Sequence, residues 1–194
     1  MTGKDCVMNS EEYLEILHVA ERLKDTPRHC TTTNRRPESV AEHSWRVSLM
    51  AMLLRQEFPD VNIDRVVDMC LIHDLGECFT GDIPTFVKTD LDRSTEDSLL
   101  QQWVTALPGG ISKYLSELYA EMDQQITVEA KLYKALDKLE AVISHNESDL
   151  STWLPLEYDL QFTYGRENVA FSPYLTALKA AVDAWTKEKI ASGR

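Results

Sequence analysis

The sequence predicts a single all-α domain, a bundle of about six to eight helices. Three observations lead there. The chain has 194 residues, a length that suits one domain able to bury its own core. Its 43% hydrophobic content is that of a folded protein, not a disordered one. Seven Gly and seven Pro are too few turn formers for an all-β sandwich or barrel, and apolar residues recur at helical spacing almost throughout.

The elements follow in order. Ser10-Glu11-Glu12 opens a first helix with Tyr13, Leu14, Ile16, Leu17, Ala20 and Leu23 on its apolar side, and Pro27 closes it. Asp25 to Pro37 is polar, holds three consecutive Thr and reads as a loop. Ser39 with Glu42 is a capping box, so a second helix starts there and runs to about Phe58-Pro59. Asn62 caps a third, from Ile63 to about Glu77, stopped by Gly81 and Pro84. Ser94-Thr95-Glu96-Asp97 opens a fourth, ended by Pro108-Gly109-Gly110, and a fifth covers about Ser112 to Met122. Thr127 precedes a sixth, Val128 to His145. Trp153 to Ala170 carries aromatics without a clean period and reads as an ordered loop. Ser172 as N-cap, with Pro173 at the first helical position, begins the last helix, which ends near Ile190. No repeat or linker interrupts residues 1–194, so the loop and helix of about 146–190 complete one domain.

Charge and targeting narrow the function. The net charge is −12, from 20 Lys+Arg against 32 Asp+Glu. That argues against nucleic-acid polymers and against anionic membrane as partners. The longest uncharged apolar run of the second helix, Val47 to Leu54, is too short to span a bilayer. Met1 to Ser10 has no apolar core of a signal peptide. Cys6, Cys30, Cys70 and Cys78 form no C-x-x-C pair and read as reduced thiols. The expectation is a soluble cytoplasmic protein.

The informative residues are polar ones inside apolar stripes. The second helix runs Val40, His43, Val47, Met50, Ala51, Leu54. The third continues Val66, Val67, Met69, Cys70 into His73, Asp74 and Glu77. The sixth runs Ala130, Tyr133, Asp137, Ala141, Ser144. One buried His or Asp alone is more simply a hydrogen-bonded core residue. Four together need a shared compensation, because each unpaired buried carboxylate costs several kcal/mol. One divalent transition metal ion supplies it. Two imidazoles and two carboxylates suit Mn, Co, Fe or Zn better than Mg or Ca, and leave room for water.

The spacing is H-x29-HD-x62-D. With it come the strings Arg36-Pro37-Glu38-Ser39-Val40-Ala41-Glu42-His43-Ser44, His73-Asp74-Leu75-Gly76-Glu77 and Thr80-Gly81-Asp82-Ile83-Pro84-Thr85. In these features, from about residue 12 to about residue 145, the chain resembles the HD-domain metal-dependent phosphohydrolases, and within them the 5′-deoxynucleotidase-like branch. The resemblance implies an all-α fold, a metal held by His43, His73, Asp74 and Asp137, and a homodimer. It assigns a catalytic role to Glu77, and assigns Asp82 to the same water or to a surrounding position. By position alone, Glu77 lies one helical turn past His73 and Asp74, where a carboxylate can take a proton from bound water. Its plainer reading is a solvated carboxylate at a helix C-terminus, which the helix dipole disfavours. The plainer reading of Asp82 is turn chemistry before a proline.

Residues 22–36 hold Arg22, Lys24, Arg28, Arg35 and Arg36 against Asp25 alone, a local +4. Such a segment suits an anionic substrate, since Arg grips phosphate in bidentate fashion. Arg28 aligns with an Arg that the family places near sugar and phosphate. Arg36 and Lys88 are further candidates, and Glu38 lies in a shared string and orients the loop or the substrate. Where many members of the branch have Trp after that Arg, this chain has His29, which leaves deoxyribose against ribose open. No His lies between His73 and Asp137, which favours one metal over two. Cys78 after Glu77 departs from the Glu-Asp of alarmone hydrolases. The expected activity is metal-dependent hydrolysis of a (deoxy)nucleoside 5′-monophosphate or similar small phosphate. Hydrolysis of a phosphodiester or pyrophosphate, and a non-enzymatic nucleotide-binding module that keeps its metal, are the alternatives.

Overall fold

Helix α7 (Val128–Glu147) organises the molecule because other elements cover it on several sides. Eleven of its residues are buried, among them Leu132, Leu136 and Leu139. Around it the computed structural model, which describes residues 8–193, arranges nine further helices and one small hairpin. Cys6 lies outside the described residues, as does most of the Met1 to Ser10 segment.

The chain enters through α1 (Ser10–Glu21), whose N-terminus is closed by a capping box between Asn9 and Glu12. A 3-10 turn (Arg22–Lys24) leads into β1 (Pro27–Thr31), which pairs antiparallel with β2 (Pro37–Ser39). Ser39 then caps α2 (Val40–Leu53), with Glu42 returning the bond. The remaining helices are α3 (Ile63–Ile72), α4 (Glu77–Thr80), α5 (Asp90–Ala106), α6 (Gly109–Gln124), α8 (Glu157–Thr163), α9 (Arg166–Val169) and α10 (Pro173–Ser192). Helices α2, α3, α6, α9 and α10, with strand β1, pack on α7. The core between them is Val47, Val66, Met69, Leu118, Leu136 and Leu175, each fully or almost fully buried. No helix of the described residues is long and apolar enough to cross a membrane.

The structure departs from the sequence expectations in six places. The loop of Asp25 to Pro37 is instead the β1–β2 hairpin, its turn held by Thr32 N–H to Arg36 O at 2.8 Å and by Arg35 at φ 59°. Strands of five and three residues bond through backbone, which side-chain periodicity does not register. Helix α2 stops at Leu53, not Phe58, because Leu54 leaves the helical region at ψ 6°. Helix α3 stops at Ile72, whose carbonyl accepts from Tyr119 Oη at 2.7 Å, and Glu77 opens the separate α4. Helix α5 begins at Asp90 because Thr89 and Asp92 form a capping box ahead of Ser94, and α6 begins at Gly109, not Ser112. Trp153 to Ala170 is mostly the two short helices α8 and α9, the second entered through Gly165 at φ 73°.

Candidate metal centre and adjoining pocket

The capping box at Ser39 fixes the start of α2, and one turn later His43 enters the core with 1% of its surface exposed. The end of α3 brings His73 against it, their Nε2 atoms 3.2 Å apart. Asp74 and Asp137 close on the same point. His43 Nε2 lies 3.4 Å from Asp137 Oδ1 and 3.7 Å from Asp74 Oδ2. His73 Nε2 lies 3.1 Å from Asp74 Oδ2 and 3.8 Å from Asp137 Oδ1. Donors about 2.0–2.1 Å from a tetrahedral ion sit about 3.3 Å from one another, so these separations suit a metal.

The other face of each ring decides what occupies that point. His73 Nδ1 donates to Cys70 O at 2.7 Å. His43 Nδ1 donates to Glu140, which is wholly buried. With each ring proton so assigned, both Nε2 lone pairs face each other and two carboxylates. Acceptors facing acceptors need a cation between them, and the donor set fits a divalent transition ion. In the absence of an ion a proton takes that place: against burial and the Arg28 charge, the bonds to Asp137 and Glu140 hold His43 up to about 9. Asp137 stays well below the usual carboxylate range despite burial, because Lys138 at 3.3 Å and Lys134 at 3.1 Å face it.

Glu77 and Asp82 line the same cleft. Glu77 is 7% exposed and its Oε2 is buried without a hydrogen-bond partner. Burial, then the charges of Asp74, Asp82 and Glu96, push this carboxyl up to about 10. Because Glu77 begins α4 instead of ending α3, the dipole objection to a carboxylate there does not arise. Burial also raises Asp82, with Arg28 opposing.

Among the anticipated substrate residues, Arg28 reaches the cleft and Arg36 does not. Arg28 donates to Glu38 at 2.8 Å and to Glu140 at 3.3 Å. Glu38 is itself buried and accepts from Ser144 at 3.3 Å, so its visible role is to hold Arg28. Lys88 lines the cleft and pairs with Glu96 at 2.6 Å. Arg36 is exposed and bonds Glu42 at 2.6 Å beside the α2 cap. The basic segment is therefore dispersed, with Arg35 on Asp149 and Arg22 beside Phe79. Only Arg28 of these turns to the centre, because its strand faces α7 while the hairpin turn faces water.

His29 lines a second cavity that shares Arg28, Asp82, Thr85, Ala141 and Tyr164 with the cleft. Its walls include Phe86, Val142 and Leu160. Several residues here escaped sequence reasoning: Glu140, Lys134 and Lys138 around the ligands, and His145, Glu157 and Tyr164 in the cavity. Glu140 falls three residues after Asp137 on one side of α7, but spacing alone does not separate it from the helix's other carboxylates.

The HD-domain family model matches residues 20–179. Human 5′-deoxynucleotidase HDDC2 is 33% identical over 138 residues, 69% of this chain and 67% of that protein. The 5′-deoxynucleotidase hdd1 of Schizosaccharomyces pombe is 29% identical over 167 residues, 75% of this chain and 83% of that protein. A crystal structure described as a predicted metal-dependent phosphohydrolase from Magnetospirillum magnetotacticum aligns with TM-score 0.77 and 27% identity, covering 92% of this chain and 93% of that one. A cyanophage S-2L HD phosphohydrolase, solved with dA and one catalytic Zn2+, shares the fold at TM-score 0.56 and 22% identity, over 96% and 98% of the two chains. The match of the HD-domain family model over most of the chain means that this protein belongs to the HD-domain family.

Proposed function

We propose that this protein is a metal-dependent phosphohydrolase that releases phosphate from a nucleoside 5′-monophosphate. One observation carries the reading: a cation-demanding cluster, an unpartnered buried carboxyl and an arginine share one cleft, beside a cavity suited to a nucleoside. The relatives named 5′-deoxynucleotidase support it.

His43, His73, Asp74 and Asp137 would hold the metal, which is Mn, Co, Fe or Zn. When bound, such an ion polarises the phosphoryl group and makes water acidic enough to attack. With a cation among Asp74 and Asp137 to offset the negative charge that raises the Glu77 carboxyl, Glu77 would be free to take the proton of the attacking water and deliver it to the leaving 5′-oxygen as the P–O bond breaks. Asp82 orients that water. Arg28, held by Glu38 and Glu140, neutralises the phosphate, and Lys88 adds a second positive charge. Sugar and base occupy the neighbouring cavity, with His29 and Phe86 on its wall, an arrangement open to ribose as well as deoxyribose.

The whole chain serves as one such domain, with 146–190 completing the cavity. It acts as a cytoplasmic homodimer without membrane or nucleic-acid partners. The net charge of −12 and exposed apolar residues such as Trp45 and Leu53 support that reading. The test compares nucleoside 5′-monophosphates with their 5′-methyl diesters. Release of phosphate from the monoesters alone is expected. Cleavage of the diesters at equal rate, or of neither class, would sink the proposal.

A further inference from the structure

The cavity beside the cleft has a polar floor, of which the proposed chemistry uses His29 as a wall but neither His145 nor Glu157. His29 on β1, His145 on α7 and Glu157 on α8 meet there, and one ligand atom from each lies within 4.8 Å of the others. His29 Nε2 is 3.1 Å and His145 Nε2 is 2.9 Å from the same oxygen, Glu157 Oε1. We propose that His29, His145 and Glu157 form a second divalent-metal site, of the zinc type, whose open coordination position faces the cavity.

The surrounding bonds support this. Glu157 is 2% exposed, and its other oxygen is occupied by Leu154 N–H at 2.6 Å. That fixes the carboxylate and leaves Oε1 aimed at both rings. His145 Nδ1 lies 3.3 Å from the Ala141 carbonyl, so with the ring proton on that side the Nε2 lone pair would point toward Glu157. Trp153 packs edge-on against the His145 ring at 5.9 Å, and Phe86 against His29 at 5.5 Å, so both imidazoles are held in orientation. The two ring centroids stand 6.1 Å apart, against 5.1 Å for His43 and His73. Two His and one Glu make a three-ligand set that leaves a fourth tetrahedral position, the arrangement of open zinc sites. That position looks into a cavity lined by Arg28, Phe86 and Tyr164. An ion there would offset the buried Glu157 charge and present a Lewis acid to a nitrogen or oxygen atom of whatever enters.

This site shares no ligand with the His43 centre, so the two stand or fall separately. The test counts zinc per chain on folded, full-length protein loaded with Zn2+ and freed of excess ion. Two equivalents are expected in the wild type, one in each of His29→Ala and His145→Ala, and one in His73→Ala. His73→Ala combined with His145→Ala should hold none. Circular dichroism establishes that each variant is folded, and His29→Ala, on an accessible strand, is the variant least able to disturb the core. A wild-type count of one that disappears in His73→Ala overturns the proposal. So does a count of two that survives both His29→Ala and His145→Ala, or a count of zero. A single zinc that persists in His73→Ala and is lost in His145→Ala would instead remove the His43 centre and leave this site standing.

Discussion

Replacing Glu140 with Gln removes one negative charge from behind His43, one of the four proposed metal ligands, while keeping the shape of the side chain. Glu140 is fully buried and accepts from His43 Nδ1, from Arg28 at 3.3 Å and from Ser144 Oγ at 2.6 Å. Against burial, the bond and charge of His43 and then Arg28 hold its carboxyl down to about 2, so it is ionised under all ordinary conditions. A carboxylate there fixes the His43 tautomer and makes Nε2 a stronger donor to a metal. Loss of such a partner weakens metal binding by about 10- to 100-fold, or about 1.4–2.8 kcal/mol. Arg28 keeps Glu38 at 2.8 Å, so its position changes little. The assay is competition for Zn2+ against a chromophoric chelator, run on the wild type and on Glu140→Gln. Glu117→Gln is the control, because that exposed carboxylate faces Lys113 on the surface of α6, away from the cleft. A Glu140→Gln affinity within about threefold of the wild type would refute the reasoning.

Three further outcomes follow from the same geometry. Glu77→Gln should lower kcat by about 10²- to 10⁴-fold with metal content unchanged, as steady-state kinetics and metal analysis together would register. In metal-free protein Glu77 binds its proton more tightly folded than unfolded, since its value rises from 4.5 to about 10. Its contribution is therefore complete below the ordinary carboxyl value and is lost as pH climbs toward 10. Urea midpoints of chelator-treated protein should fall across that range, and Glu77→Gln should flatten the decline. Gly165→Ala should destabilise the fold by about 1–3 kcal/mol, because φ is 73° and a Cβ there would stand 2.8 Å from Lys138 Cβ. Urea unfolding reads this directly, and a change below about 0.5 kcal/mol would contradict it.

His43, His73, Asp74 and Asp137 were legible because each replaces an apolar residue in a helical stripe, and burial makes that substitution costly. Glu140 was not. It lies beside the stripe of Ala130, Tyr133, Asp137, Ala141 and Ser144, in a helix that also carries an exposed carboxylate, Glu147. Only the approach of α2 to α7 distinguishes the two. Arg28 and Arg36 looked alike in one basic segment, and the hairpin separated them by turning one toward α7 and the other toward Glu42. The hairpin was hidden because its strands are short and polar. Helices α8 and α9 were hidden because seven and four residues span two helical turns or fewer, too little to display a period. His145 and Glu157 were missed for a related reason. Twelve residues separate them, and the fold of the intervening segment, not a sequence motif, brings them together.

The most direct measurement is phosphate release by one preparation before and after metal removal. Chelator-stripped protein is assayed on ribo- and deoxynucleoside 5′-monophosphates, then again after addition of Mn2+, Co2+ or Zn2+, with His73→Ala alongside. The predicted result is no release from stripped protein, release after metal addition, and none from His73→Ala in either state. Equal release with and without metal, or no release from any monophosphate by the metal-loaded protein, would contradict the account.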